Sequence, residues 1–250
     1  MANEYWLDDK QWAAIEPLIP MHRRGVKPSC NREVISGILH VLKYGCRWRD
    51  CPEIFGPHTT VYNRFNRWSK AGIWQDMLDR LVTSEAADMQ CIDSTTAKAH
   101  RCSAGGTGGA DAQDIGRSRG GRTTKIHAVA DGCGRLIGFD ITPGQRGDIR
   151  PAKALLETLP KAAHVLGDTA YDGDRLRSFL AKRGSTAVIK PNPTRINVPD
   201  FDAGIYKFRN LIERAFSHLK DWRRVATRYD KLARNFRATV ALAAIMIWWA

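Results

Sequence analysis

Residues 206–220, YKFRNLIERAFSHLK, constrain this chain more than any other stretch. Set on a helix at about 100° per residue, Tyr206, Arg209, Glu213 and Lys220 fall within roughly 60° of one another on one face. Phe208, Leu211, Ile212, Ala215, Phe216 and Leu219 fall on the opposite face, an apolar stripe that packs the helix onto a core. The stripe accounts for burial. It does not account for a carboxylate set among an arginine, a lysine and a tyrosine. Two readings stay open on these residues alone: a solvated face with an ordinary ion pair, or a metal-binding carboxylate with cations placed to hold phosphates.

Charge narrows the choice. The 250 residues suit one large domain or two smaller ones, and 43% hydrophobic with 26% charged residues is an ordinary globular composition. The formal net charge of +13 is not ordinary, and it is spread unevenly: residues 1–90 carry +1, residues 91–200 carry +6 and residues 201–250 carry +6. A basic chain without a membrane segment points first to a polyanion, most often nucleic acid, with a basic enzyme as the bland alternative. The six cysteines form no CxxC pair, and no signal peptide is recognisable, so free thiols in a reducing cytoplasm are expected. The apolar run 238–250 is too short to span a bilayer and predicts a closing helix, with no membrane association.

Along the chain, the pattern predicts helices over 10–18, 33–44, 59–70 and 74–82, so residues 1–85 form a small all-helical domain. Tyr62, Asn63, Arg64, Asn66 and Arg67 on the third helix suggest a helix-turn-helix that contacts DNA, with Arg64 and Arg67 as DNA-binding candidates; packing or dimerisation is the alternative. From residue 86 the character changes. A strand is predicted over 90–97, then a flexible Gly-rich loop over 100–124 whose Arg117, Arg119 and Arg122, together with Lys125, suit a phosphate backbone. Then follow a hairpin (125–130 and 136–142), a helix from 149 capped by Asp148, a strand over 164–167, a helix over 174–182, a strand over 186–190 and a loop over 191–202. The order implies an α/β fold, a mixed sheet flanked by helices. The basic stretch 222–237, including Arg223 and Arg224, reads as a DNA track on a C-terminal helical tail of this second domain, 86–250.

Asp93, in CIDSTT, and Asp168, in VLGDTAYD, each follow apolar residues that belong to strands. Acids at strand ends sit where active sites gather in α/β sheets. Together with Glu213 they form three converging carboxylates, which repel one another unless cations lie between them. Mg²⁺ suits such a site, because it takes hard oxygen ligands and leaves room for a substrate phosphate. Of the other polar residues, Asp172 reads as a cap or an assisting acid, Asp131 as a turn residue and His127 as structural.

These residues carry a resemblance. Tyr206, Arg209, Glu213 and Lys220 fit the Y-x2-R-x3-E-x6-K pattern, Asp93 in IDSTT and Asp168 in GDTAYD fit the two preceding acidic positions, and IGRSRGG, TKIHA and GCRWRD match further motifs. The chain resembles a DDE transposase of the IS5 insertion-sequence family, over nearly its whole length. The resemblance implies an RNase H-like catalytic fold and Asp93, Asp168 and Glu213 as catalytic metal ligands for two Mg²⁺ or Mn²⁺ ions. It also implies Arg209 and Lys220 on DNA phosphates, with Tyr206 packed beside them. The large β insertion that some related transposases carry has no room in residues 191–202, so its contacts are not carried over.

The expected activity is therefore binding to the terminal inverted repeats of an element in double-stranded DNA, cleavage to 3′-OH ends, and joining to target DNA. A homodimer or larger synaptic assembly, associated with the nucleoid, would carry it out. A nuclease that never joins would use the same acids, and a regulator acting only through the helix-turn-helix would need none of them.

Overall fold

The computed structural model of the chain describes residues 4–20, 30–82 and 88–250. The 85/86 boundary predicted from sequence lies outside the described residues. Helices α1 (Asp9–Ile15), α2 (Asn31–Tyr44), α3 (His58–Lys70) and α4 (Ile73–Leu81) come first. Strand β1 (Met89–Ala99), the short α5 (Gly109–Ala112), β2 (Gly116–Ser118), β3 (Gly121–Asp131) and β4 (Leu136–Pro143) follow. Then come α6 (Ile149–Glu157), β5 (His164–Gly167), α7 (Asp174–Lys182), β6 (Thr186–Ile189), α8 (Ala203–Tyr206), α9 (Asn210–Lys220), α10 (Arg223–Ala226) and α11 (Ala233–Ala244). Among the described residues no helix is long and apolar enough to cross a membrane. All six cysteines are free.

The chain divides into two units, and not at one cut. The first draws on Met1–Val82, His100–Gly109 and Leu219–Ala250; the second on Thr83–Ala99 and Ala110–His218. The tail assigned from sequence to the second domain therefore belongs with the N-terminal helices. The reason is apolar: α11 is buried through Phe236, Ala238, Val240, Ala241 and Leu242, and it packs on α2, α3 and α4. A helix this apolar needs a helical partner, and the N-terminal helices supply one.

In the helical unit Asp8 caps α1 through a reciprocal capping box with Gln11. Gly45, at φ 76°, ends α2 in the left-handed conformation that glycine adopts without strain. α3 starts after Pro57 without a side-chain cap. The connector between α2 and α3 holds two 3₁₀ turns, Trp48–Asp50 and Glu53–Phe55. It is longer than the three- or four-residue turn of a helix-turn-helix.

The sheet unit runs β2-β3-β1-β5-β6, with β4 paired to the long β3. β1, β3 and β4 are antiparallel, whereas β1–β5 and β5–β6 are parallel. This is the mixed sheet predicted from sequence. One expectation fails: the Gly-rich stretch is not a simple loop. Arg119 and Gly120 turn the chain, and β2 pairs with the start of β3, setting Arg117 opposite Arg122. Gly121 takes φ 97°, a conformation open to glycine.

Candidate active site

The parallel pairing of β1 with β5 sets Cys91 beside Leu166. Asp93 and Asp168 each lie two residues further on. Asp168 stands just past the end of β5, but Asp93 is midway along β1, which runs on to Ala99, so it is not at a strand end as the sequence suggests; it lies just beyond the stretch of β1 that pairs with β5. The carboxyl end of a parallel strand such as β5 is where an α/β sheet places ligands. Glu213 comes from α9, whose Ile212 and Ala215 are buried and whose Leu211 and Phe216 are nearly so. Phe208, predicted on the same apolar face, is instead 51% exposed.

The cause is a local change of helix. Residues Lys207–Arg209 form a 3₁₀ turn between α8 and α9, so residues 206–220 are not one regular α-helix. A 3₁₀ turn advances about 120° per residue, which rotates side chains off the α-helical register. The turn is tied to the sheet by Cys91, whose Sγ donates to Phe208 O at 3.5 Å.

Arg209 leaves this turn and lies between two of the acids. Its Nη1 donates to Asp93 Oδ2 at 2.9 Å, and its Nη2 donates to Glu213 Oε1. Its guanidinium stands 5.8 Å from the centre of the Tyr206 ring, which packs edge-on against Phe201. The other Asp93 oxygen accepts from Ser94 N at 2.7 Å. Asp168 Oδ1 accepts from Ala170 N at 2.8 Å and caps the 3₁₀ turn Thr169–Tyr171. Glu213 is half exposed.

Burial pushes the Asp93 carboxyl up to about 6. Ser94 N–H and Arg209 pull it down, while Asp168 and Glu213 push it further up. The three acids therefore share one electrostatic neighbourhood, and one arginine does not neutralise it. The hard oxygen donors and the raised Asp93 carboxyl fit a divalent cation. Among the described residues, however, no three His, Cys, Asp or Glu side chains stand close enough as they are to hold one ion. The Arg209 guanidinium is the cation between Asp93 and Glu213.

The remaining predicted site residues separate into two groups. Arg117, Arg119 and Arg122 are exposed on or beside the β2–β3 hairpin, and Arg67, Lys220 and Arg223 are exposed in the helical unit. Arg64 and Arg224 are not surface groups. Arg64 is 6% exposed, donates to Asn31 Oδ1 at 2.5 Å and lies over the Trp68 ring. Arg224 is 5% exposed, donates to Cys46 O and lies against Trp48 and Tyr229. Arg228 of the basic tail is fully buried. Aromatic faces and carbonyl oxygens take these guanidinium groups into the core. Lys125, predicted on DNA, pairs with Asp148 at 2.8 Å and is mostly buried.

Asp172 is neither a cap nor part of the acid cluster. Its buried carboxylate accepts from Arg177 Nε at 2.8 Å, Arg195 Nε at 2.7 Å and Asn192 N at 2.7 Å, and so fastens the 191–202 loop. His127 is fully buried on β3, with Nε2 2.8 Å from Thr142 Oγ1, and burial pushes it down to about 4. It is a neutral structural residue at pH 7. Ser94 and Asp148, which sequence reasoning did not bring to the site, touch it through Asp93's neighbour: Ser94 Oγ donates to Asp148 Oδ1 at 2.5 Å.

A mixed sheet flanked by helices, with acids from the neighbouring β1 and β5 segments and a third acid on a packed helix, is an RNase H-like fold. A structural comparison agrees on the fold: a piggyBac transposase synaptic complex with hairpin DNA aligns over 95% of this chain and 70% of that one, with a TM-score of 0.51 at 12% identity. Residues 86–249 match the family described as "Transposase DDE domain", and residues 7–78 match "Putative transposase of IS4/5 family (DUF4096)". The chain belongs to the DDE transposases of insertion sequences. Among curated relatives it is 46% identical over 127 residues to the "Putative transposase for insertion sequence element IS6501" of Brucella ovis, covering 50% of this chain and 98% of that protein. It is 39% identical over 99 residues to the "Insertion element IS402 uncharacterized 16.2 kDa protein" of Burkholderia cepacia, covering 36% of this chain and 67% of that protein.

Proposed function

We propose that this transposase binds the terminal inverted repeats of its element, cuts them to 3′-OH ends and joins those ends to target DNA. The observation that carries the reading is the matched placement of Asp93 and Asp168 on paired parallel strands, with Arg209 bridging Asp93 to Glu213. Asp93, Asp168 and Glu213 would hold two Mg²⁺ ions, with Mn²⁺ as a substitute, and such ions would supply activation of an attacking oxygen and charge stabilisation of a leaving one in an in-line displacement at phosphorus. Arg209, which here pairs with both Asp93 and Glu213, has the fork geometry to take a DNA phosphate instead. Tyr206 supports the guanidinium from one side. Lys220 supplies a second cation at the end of α9.

Arg117, Arg119 and Arg122 give the sheet unit an exposed basic hairpin for DNA backbone, and Arg67 and Arg223 do the same for the helical unit. The helical unit is assigned to element-end binding and self-association, and the working assembly is a homodimer or larger complex that pairs two ends, in the cytoplasm with the nucleoid. Asp93→Asn is expected to abolish cutting while element-end binding stays within about twofold. Loss of several kcal/mol of transition-state stabilisation corresponds to about a thousandfold in rate. Unchanged cleavage by that variant would overturn the assignment. DNA cutting that never yields joined products would favour a nuclease.

A further inference from the structure

Asp148 stands at the N-cap position of α6, yet its side chain makes no capping hydrogen bond. It turns to the sheet. Oδ1 accepts from Ser94 Oγ at 2.5 Å and from Lys125 Nζ at 2.8 Å, and Lys125 Nζ also donates to Arg146 O at 2.7 Å. The antiparallel register of β1 and β3 sets Ser94 opposite His127 and Thr96 opposite Lys125, so Ser94 and Lys125 share one face of the sheet.

Ser94 is also the residue whose backbone N–H donates to Asp93 Oδ1. A continuous chain of contacts therefore runs from Lys125 through Asp148 and Ser94 to Asp93. Asp93 is held by two donors, Arg209 on Oδ2 and Ser94 on Oδ1. Arg209 comes from the acid cluster itself; Ser94 is anchored from outside it. The Lys125 and Asp148 side chains are only 14% and 25% exposed, so their pair is shielded in a way that surface pairs are not.

We propose that Asp148, backed by Lys125, is a positioning residue for Asp93: it pins Ser94 and so orients the Asp93 carboxylate toward a metal ion. This rests on Asp93 being a metal ligand. It moves Lys125 from the DNA surface to the scaffold of the site. Groups that orient a ligating carboxylate typically change metal affinity or activity by about 10–100-fold when removed.

The test is Mn²⁺ binding to the DNA-free protein, followed by the EPR signal of free Mn²⁺, for wild type, Asp148→Ala, Ser94→Ala and Asp172→Ala. Asp148→Ala and Ser94→Ala are expected to weaken Mn²⁺ by about 10–100-fold. In cleavage assays they should lower kcat and leave KM for element-end DNA unchanged. Asp172→Ala, which removes a more deeply buried acid outside the chain of contacts, should bind Mn²⁺ as wild type does. Should Asp148→Ala fail to fold, Ser94→Ala decides alone, because it removes one hydroxyl. Wild-type affinity in Ser94→Ala, or equal weakening in Asp172→Ala, would overturn the proposal. A wild type that binds no Mn²⁺ would instead overturn the assignment of Asp93 and take the proposal with it.

Discussion

In the helical unit the buried charges are mainly cations, and each has polar and aromatic partners. Arg64 has Asn31 and the Trp68 ring; Arg224 has Cys46 O and two aromatic rings; Arg228 donates to Asp230 O at 2.9 Å and lies over Phe236. In the sheet unit the charges gathered around Asp93 are acids with one arginine, and the balance differs. Asp93 lies in the field of Asp168 and Glu213 with one arginine shared, and its carboxyl is pushed up to about 6. Asp172, in the same unit, receives three donors and is held below the usual carboxylate range despite its burial. A buried charge that is fully met serves architecture. One left under-compensated suits the cation-binding role proposed for Asp93, and that distinction separates Asp93 from Asp172.

Breaking one side of this contrast should cost the most stability in the helical unit. Arg228→Met leaves the Asp230 carboxylate buried with less compensation and should cost about 3–5 kcal/mol in denaturant unfolding. A loss under about 1 kcal/mol would mean that these cations are not needed by the core. Next, Asp172→Ala should cost about 2 kcal/mol, less because Arg195 reaches partial solvent, and should open the 191–202 loop to proteolysis.

Asp93→Asn should do the reverse. The folded-state value of Asp93 lies above its unfolded one, so its contribution to stability is full below about pH 4 and is lost as pH rises through about 6. The variant should therefore be more stable than wild type by about 1–2 kcal/mol at pH 8, with the gain fading toward pH 4. Thermal unfolding across that range reads it. The smallest effect is expected at the exposed hairpin. Neutralising Arg117, Arg119 and Arg122 should flatten the salt dependence of DNA binding, by up to about 0.9 in log–log slope for each phosphate that the hairpin no longer neutralises.

Local patterns carried much of the fold into the sequence reading. The strand at His164–Gly167 and the helix at Asp174–Lys182 come out at the predicted bounds, because a short apolar run ending in Gly-Asp and an aspartate-led amphipathic run are unambiguous. The spacing of Arg209 and Glu213 predicts their shared helix face, and the structure pairs them. What is not legible depends on distance along the chain. Arg64 and Arg224 read as surface cations because sequence does not show Asn31 reaching the one and Trp48 the other. The β2–β3 hairpin hides in a Gly-rich stretch, since its pairing depends on register and not on apolar alternation. Lys125 and Asp148 are 23 residues apart in sequence, and only the β1–β3 ladder and the start of α6 bring them to Ser94. The 3₁₀ turn at Lys207–Arg209 has no composition cue, so the wheel placed Phe208 inside.

The most direct test is a cleavage and joining assay on DNA carrying the ends of the element beside the gene, with Mg²⁺ or with EDTA, for wild type and Glu213→Gln. Metal-dependent 3′-OH ends and joined products from wild type, both lost in Glu213→Gln with end binding retained, are the predicted result. Cutting that survives EDTA, or joined products from Glu213→Gln at the wild-type rate, would contradict the assignment of the acids.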